Sequence, residues 1–176
     1  MPQIQPQRDE QPLIHGEYAP SFFGLLASRV VDSVVESGAI AAERFGISAP
    51  VRTFSTLVLL SRAPMSVTEI AQQLGVTHAA VIKHTRSLVA LGLIDRGQDA
   101  KDARRRPLTL TDAGREEVER IDAFMASAAK VYREIFETIG IDVFEGLKRM
   151  EREINARDFA TRMRDVGIAS PTTKTS

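Results

Sequence analysis

Residues 66–111 have the sequence SVTEIAQQLGVTHAAVIKHTRSLVALGLIDRGQDAKDARRRPLTLT, which predicts two short helices joined by a tight turn and then a basic hairpin. Ser66 and Glu69 form a capping box, which sets the start of the first helix. Gly75 supplies the positive φ that the turn requires. Two helices around a glycine-containing turn, followed by a hairpin, predict a winged helix-turn-helix.

The second of these helices is the candidate DNA-reading element. We place Val81 on its buried side, advance about 100° per residue, and expect Val76 to return to the core as well. Lys83 and Arg86 then lie on the opposite face, from which they can reach guanine acceptors or phosphates. The sequence leaves these two alternatives open. The expected DNA contacts of this helix are Thr77, His78, Ala79, Ala80, Lys83 and Arg86.

His84 falls near the edge of the predicted core, where helix-turn-helix sequences usually carry an apolar residue. A partly buried structural histidine is favoured there over a histidine that contacts a base. With His15 and His78 it gives no spacing typical of a metal site, and the chain has no cysteine. No nucleophile–base set, carboxylate pair or glycine-rich phosphate loop stands out. We therefore expect no catalytic residues, no metal and no cofactor.

The charge of the chain is distributed unevenly. The net charge is zero, yet residues 77–106 carry 7 Lys and Arg against 3 Asp and Glu, while residues 1–76 carry 5 against 7 and residues 107–176 carry 11 against 13. A solvated face is the alternative explanation, but phosphate attraction is local, so a basic window on a helix-turn-helix favours DNA. Since no apolar run approaches the ~18 residues that span a bilayer and no targeting signal is present, we expect a cytoplasmic protein without a membrane partner.

The hairpin forms the predicted wing. Ile94 begins one strand, and Leu108 and Leu110 alternate along the other. An arginine at the tip of the charged loop suits a narrow minor groove, where the negative potential is enhanced. Asp102 is expected to form a salt bridge with a neighbouring arginine and shape the loop. The expected DNA contacts of the wing are Lys101, Arg104, Arg105 and Arg106.

The C-terminal third predicts a long helix that begins after Thr111 and is interrupted at Gly140, followed by a final helix capped by Asp142. Apolar residues along the long helix recur at spacings of 3, 4, 3, 4, 3 and 4 from Val118 to Ile139, as in a seam between helices. Packing within the same chain is the alternative, but a homodimer is favoured because such modules usually act as two-fold pairs on two half-sites. The expected dimer contacts are Val118, Ile121, Met125, Tyr132, Ile135 and Ile139.

These elements predict a mainly α fold with a small β wing, in which a winged helix-turn-helix is flanked by N- and C-terminal dimerisation helices. Helical spacing before Gly46 supports the first of these helices. The expected divisions are a flexible arm over residues 1–20, a dimerisation helix over 21–46, a DNA-binding lobe over 47–111, C-terminal dimerisation helices over 112–166 and a disordered tail over 167–176.

The chain resembles the MarR family, the multiple antibiotic resistance regulators, over roughly residues 22–163. The resemblance is carried by the helix-turn-helix VTEIAQQLGVTHAAVIKHTRSLVALGLI, by Asp102-Ala103-Arg104 in the wing and by Leu110-Thr111-x-x-Gly114 at the strand exit. It implies a homodimer joined by its terminal helices, with recognition helices in successive major grooves of a pseudo-palindromic operator and wings in minor grooves. It also implies a transcriptional regulator, most often a repressor, that is relieved by a small and often aromatic molecule.

The resemblance also assigns roles by position. Lys83 matches the basic contact of the recognition helix and Arg104 the wing-tip arginine, whereas Ala103 stands where a basic residue is frequent. The absence of cysteine excludes the thiol-based peroxide sensors of the family. An effector pocket between the first two helices and the DNA-binding lobe is implied. Its candidate contacts, each more often a core or surface residue, are Phe22, Arg29, Arg52 and Phe54.

A winged helix that binds an acidic protein partner is the alternative function. Basic residues on two separate elements, the recognition helix and the wing, favour DNA because groove binding needs both. A salt titration of duplex binding distinguishes the two classes.

Overall fold

The computed structural model of the chain describes residues 14–97 and 107–166. The chain divides into two compact units, Met1–Ala126 (the N-terminal unit) and Ser127–Ser176 (the C-terminal unit). The elements in the described ranges are a 3₁₀ helix Ala19–Phe22, α1 (Phe23–Arg44), a 3₁₀ turn Val51–Thr53, α2 (Phe54–Leu60), α3 (Val67–Leu74), α4 (His78–Ala90), β1 (Ile94–Arg96), β2 (Leu108–Leu110), α5 (Asp112–Ile139), α6 (Val143–Ala156) and α7 (Phe159–Asp165). The predicted fold class, mainly α with a small β wing, is confirmed.

The core of the N-terminal unit contains apolar side chains from α2, α3, α4 and α5 and from β1 of the wing. Each fully buried aliphatic side chain contributes about 1.5–3 kcal/mol relative to exposure. Phe124 of α5 packs edge-to-face on Phe45 and Phe54, with ring centroids 5.5 and 5.6 Å apart. Fully buried residues from five elements are Leu57, Ile70, Val81, Leu88, Ile94 and Ile121.

The helix-turn-helix is set by local signals that the sequence predicts correctly. The Ser66 hydroxyl accepts a hydrogen bond from the Glu69 backbone N–H at 3.2 Å, and the Glu69 carboxylate accepts from the Ser66 backbone N–H at 2.7 Å. Gly75 ends α3 with a φ of +64°, a conformation that residues with a Cβ rarely adopt. The capping box and the turn are therefore confirmed.

The prediction that Val76 enters the core is wrong. Its side chain is 41% exposed, whereas Val81 is fully buried. Val76 lies in the turn between Gly75 and the N-cap of α4, before the helical face that packs on the core begins. The first core contact after the turn is therefore made from within α4.

The base of the wing is a three-part β arrangement. β1 and β2 pair antiparallel, with Ile94 opposite Leu110 and Arg96 opposite Leu108. Met65, just before α3, also exchanges two backbone hydrogen bonds with Leu108, at 3.2 and 2.8 Å. The start of the helix-turn-helix and the wing are therefore tied to each other through β2.

The exit from β2 into α5 requires a residue without a side chain. The Thr111 hydroxyl accepts from the Gly114 backbone N–H at 3.0 Å, which confirms Thr111 as the cap of α5, and donates to the Gly92 carbonyl at 2.7 Å. A Cβ atom on Gly114 would overlap the carbonyl oxygen of Leu93. Glycine at 114 therefore lets the first turn of α5 pack closely against the backbone between α4 and β1.

The apolar stripe predicted along α5 divides between two environments. Val118 and Ile121 are buried within the N-terminal unit, at 6% and 0% exposure, so their assignment to a dimer interface is wrong. They pack in the core of their own chain because the first turns of α5 form a wall of that core. The exposed members of the stripe are Met125, Tyr132, Ile135 and Ile139.

The C-terminal unit contains one helix more than we expected. The Asp142 carboxylate accepts from the Glu145 backbone N–H at 2.9 Å and caps α6 as predicted. The expectation that α6 is the final helix is wrong, because Asp158 accepts from the Thr161 backbone N–H at 3.0 Å and starts α7. An N-cap aspartate was the signal in the sequence for this helix. Among the described residues, no helix is long and apolar enough to cross a membrane.

Candidate nucleic-acid interface

α4 has one buried and one exposed face. Val81, Thr85 and Leu88 are buried at 0%, 5% and 0% exposure, while Lys83 and Arg86 are exposed to solvent. This orientation confirms the predicted rotation of the helix. Two cationic side chains one turn apart therefore project from the side of the lobe that does not support the core.

The first turn of α4 is also accessible. The Thr77 hydroxyl accepts from the Ala80 backbone N–H at 3.2 Å and caps the helix, so Thr77 has a structural role irrespective of DNA. His78 and Ala79 are exposed, and Ala80 is half-buried. The small side chains leave the backbone of this turn open to close approach by another molecule.

A contact between the two helices of the motif was not predicted. The imidazole Nε2 of His78 lies 3.4 Å from the Thr68 hydroxyl oxygen, and both residues are exposed. Thr68 stands in the first turn of α3, where free backbone N–H groups favour anions. The start of α3 and the start of α4 thus present polar groups side by side.

His84 is half-buried, as the sequence predicted. Its Nδ1 is buried and has no hydrogen-bond partner among residues 14–97 and 107–166. Burial, followed by the positive charges of Lys83 and Arg52, lowers the pKa of the His84 imidazole below its usual value. The ring is therefore held in its neutral form at pH 7.

The four candidate effector contacts, two arginines and two phenylalanines, differ in their exposure to solvent. Arg52 pairs with Asp32 of α1 at 2.9 Å on the surface, and Arg29 and Phe22 are half-buried. Phe54 is 4% exposed and belongs to the core. The Arg52–Asp32 pair joins α1 to the turn that packs against the recognition helix.

A buried carboxylate that sequence reasoning missed fixes the turn between α1 and α2. Glu117 is fully buried, and its Oε1 accepts from the Ser48 and Ala49 backbone N–H groups at 2.6 and 2.7 Å. Its Oε2 accepts from the Arg120 guanidinium at 2.7 Å. Burial alone would raise the pKa of the Glu117 carboxyl, but these donors outweigh it and hold the pKa below its usual value. The carboxylate is a structural anchor that ties α5 to the turn between α1 and α2.

Glu117→Gln should lower the free energy of unfolding by roughly 2–4 kcal/mol at pH 7, because the charge-assisted bonds are lost and donors are left unpaired. Because the native pKa of Glu117 is depressed, its carboxylate stabilises the fold at pH values above the unfolded-state pKa of about 4.3. This stabilisation is lost as the pH falls through the native pKa. The difference between wild type and variant should therefore shrink at pH 3. Urea unfolding, monitored by circular dichroism, measures the free energy of unfolding of wild type and variant at both pH values. Exposed Glu119→Gln is the control, and an equal difference at pH 7 and pH 3 contradicts the anchor role.

The wing tip lies outside the described residues. The predicted salt bridge of Asp102 and the four predicted DNA contacts of the wing lie in this segment. Arg96, at the base of the wing in β1, is exposed and was not among the predicted contacts. The residues that fall in the undescribed segment are Lys101, Asp102, Arg104, Arg105 and Arg106.

Two further surfaces, one in each unit, are apolar and exposed. In the N-terminal unit, most apolar side chains of α1 are exposed, and Ala42 is its buried residue. In the C-terminal unit, Phe144 and Phe159 are 65% and 70% exposed. Other exposed apolar residues on these surfaces are Phe23, Leu26, Val30, Val34, Tyr132, Ile135, Ile139, Leu147 and Met163.

Part of the chain is similar to a known protein family. Residues 45–105 match the sequence model of the MarR family. This part of the chain is therefore similar to the MarR family. The transcriptional regulator AdcR of Streptococcus pneumoniae serotype 2 is 42% identical over 59 residues, which cover 34% of this chain. The match spans 40% of the length of that curated relative.

Solved structures extend the similarity over more of the chain. The transcriptional repressor CouR bound to a 23-mer DNA duplex is 26% identical, with 77% of this chain and 94% of that chain covered at a TM-score of 0.59. CouR bound to p-coumaroyl-CoA is 25% identical, with 80% and 95% covered at a TM-score of 0.60. The M. tuberculosis regulator MOSR in complex with DNA, at 20% identity, covers 76% and 96% with a TM-score of 0.61 and shares the fold. CouR is described as a transcriptional repressor and MOSR as a transcriptional regulator.

Proposed function

We propose that this protein is a MarR-family transcriptional regulator, a homodimer that binds double-stranded DNA sequence-specifically. We also propose that it is a repressor relieved by a small ligand. The observation that carries the proposal is the exposed pair Lys83 and Arg86 on α4. Both project opposite fully buried Val81 and Leu88, so neither is needed for the core. Cationic side chains on the outer face of a second helix are what major-groove reading requires.

Dimerisation is supported by the exposed apolar surfaces. A chain that leaves Phe144 65% and Phe159 70% exposed carries patches of the kind that mark protein interfaces. Two copies joined through α1, α5, α6 and α7 would carry two recognition helices, and two-fold pairs suit palindromic half-sites. The relevant members of the α5 stripe are Met125, Tyr132, Ile135 and Ile139, which remain exposed in one chain.

Ligand relief is supported by the position of Arg52. This side chain pairs with Asp32 of α1 at 2.9 Å and acts electrostatically on His84 of the recognition helix. CouR, a relative at 25% identity, binds p-coumaroyl-CoA. A ligand that engages Arg52 would therefore act next to α4, because the Val51–Thr53 turn packs against that helix.

The wing is proposed to supply mainly sequence-independent affinity. Arg104→Ala should weaken binding to specific and random duplexes by similar factors, because a phosphate-type contact carries no base information. The slope of log K against log salt should flatten by about one unit. Fluorescence anisotropy at four salt concentrations measures it. An unchanged slope with lost discrimination would reassign Arg104 to base reading.

A protein-interaction module with an acidic partner is the second candidate function. The test is fluorescence anisotropy of the wild-type protein with labelled duplex DNA between 50 and about 300 mM salt. A DNA-binding regulator predicts binding whose affinity falls linearly with log salt, and competition by unlabelled duplex. Absence of saturable duplex binding at low salt would favour the protein partner.

A further inference from the structure

His84 occupies an unusual position on the recognition helix. It is half-buried and follows Lys83, one of the two proposed base contacts, directly along α4. Its buried Nδ1 has no hydrogen-bond partner in the part of the chain that the structure describes. A neutral imidazole leaves one ring nitrogen bare, whereas the imidazolium carries N–H donors on both. Protonation therefore forces a donor onto a buried Nδ1 that faces no acceptor.

The charges closest to His84 also oppose a second proton. Lys83 on the same helix and Arg52 on the Val51–Thr53 turn are the cations that act on the ring, after burial itself. Arg52 is held by Asp32 at 2.9 Å, so the Asp32 carboxylate is already engaged. An imidazolium at 84 would therefore add a third cation that Lys83 and Arg52 repel.

The other elements packed against α4 offer no compensating anion in the described ranges. α2 has no ionisable side chain. α3 carries Glu69, whose carboxylate caps the helix by accepting from the Ser66 backbone N–H. β1 carries Asp95 and Arg96, which are both exposed and of opposite charge. A protonated His84 is therefore relieved only by moving its ring, or α4 with it, toward water.

We propose that His84 is a proton-sensitive positioning residue: its neutral ring seats the recognition helix, and its protonation displaces α4 and weakens DNA binding. The inference rests on the proposed function, because α4 matters only if it reads DNA. Lys83 and Arg86 flank His84 in sequence, so a displacement of the ring moves both proposed contacts. DNA binding then responds to acidification within the range of a histidine titration.

The experiment compares wild type with His84→Gln and His84→Phe, which cannot gain a proton, and with the exposed His15→Gln as the matched control. Urea unfolding at pH 7.5 and 5.5 gives the first readout. Because the native pKa lies below the unfolded value of about 6.5, stability is present above that pH and is lost as pH falls toward the native pKa. The folding constant of wild type and His15→Gln should fall about three- to tenfold more than that of either His84 variant.

Anisotropy with a duplex that the wild-type protein binds gives the second readout. Between pH 7.5 and 5.5, wild-type affinity should fall about two- to threefold relative to both His84 variants, because the same single proton limits the losses of stability and affinity together to about tenfold. Changes common to all variants, such as protonation of exposed histidines, cancel in this ratio. Identical pH dependence of wild type and both His84 variants would overturn the inference. If the wild type binds no duplex at pH 7.5, the proposed function fails, and the unfolding data alone then decide whether His84 is proton-sensitive.

Discussion

Replacing Lys83 and Arg86 together by alanine should reduce affinity for a specific duplex by a few kcal/mol while the fold is retained. Each good groove contact contributes about 1–3 kcal/mol, which corresponds to a loss of roughly a hundredfold or more for the pair. Both side chains are exposed opposite buried Val81, and surface substitutions usually change stability by about ±0.5 kcal/mol each. Anisotropy beside a thermal melt measures both quantities on one preparation.

The matched control for this variant is the double alanine replacement of Lys130 and Arg133. These residues have the same charge and the same spacing of three, and both are exposed on α5. The control removes the same two positive charges, so it should lose only the small long-range part of the affinity, and the further loss in K83A/R86A measures the direct contacts. Full DNA binding by folded K83A/R86A would show that another surface of the protein contacts the DNA. Loss of binding through unfolding would show that α4 is rotated differently from the structure.

Ile135→Asp should prevent dimerisation. Ile135 is 46% exposed in the single chain, so a charge there is tolerated by the isolated subunit. In a dimer the same carboxylate would be buried in an apolar seam, at a cost of several kcal/mol. Light scattering at about micromolar concentration should therefore give monomer or aggregate in place of dimer, and DNA affinity should fall with it because half-sites are no longer bound together.

Ala126→Asp is the control for this substitution. Ala126 is exposed on the same helix, and about 100° per residue places it on the other side of α5 from Ile135. The control should remain a dimer. A clean, folded dimer of Ile135→Asp would refute the placement of the interface on the exposed part of the α5 stripe.

The sequence predicts the helix-turn-helix well because its signals are local. The Ser66–Glu69 capping box and the Gly75 turn each depend on residues within one helical turn. The rotation of α4 follows from one buried position, Val81, and the helical period. The same reasoning would have found α7 from Asp158, another N-cap residue whose signal is local.

Features that depend on distant parts of the chain could not be predicted in this way. Glu117 binds the backbone of Ser48, which is 69 residues away in sequence. The position of Glu117 along α5 does not by itself indicate that its carboxylate is buried. The apolar stripe of α5 follows one period, yet Val118 faces the core of its own chain while Ile135 stays exposed. A period identifies an apolar face, and only the tertiary arrangement shows whether the same chain or a partner covers it.

The most direct test of the account is selection of random duplexes by the wild-type protein, followed by sequencing of the bound pool. A homodimer with one recognition helix per subunit predicts enrichment of inverted repeats whose half-site centres lie about 10 base pairs apart. Selection with K83A/R86A should then lose the repeat. Enrichment of a single unpaired half-site, or of no sequence at all, would contradict the claim that this chain reads DNA as a two-fold dimer.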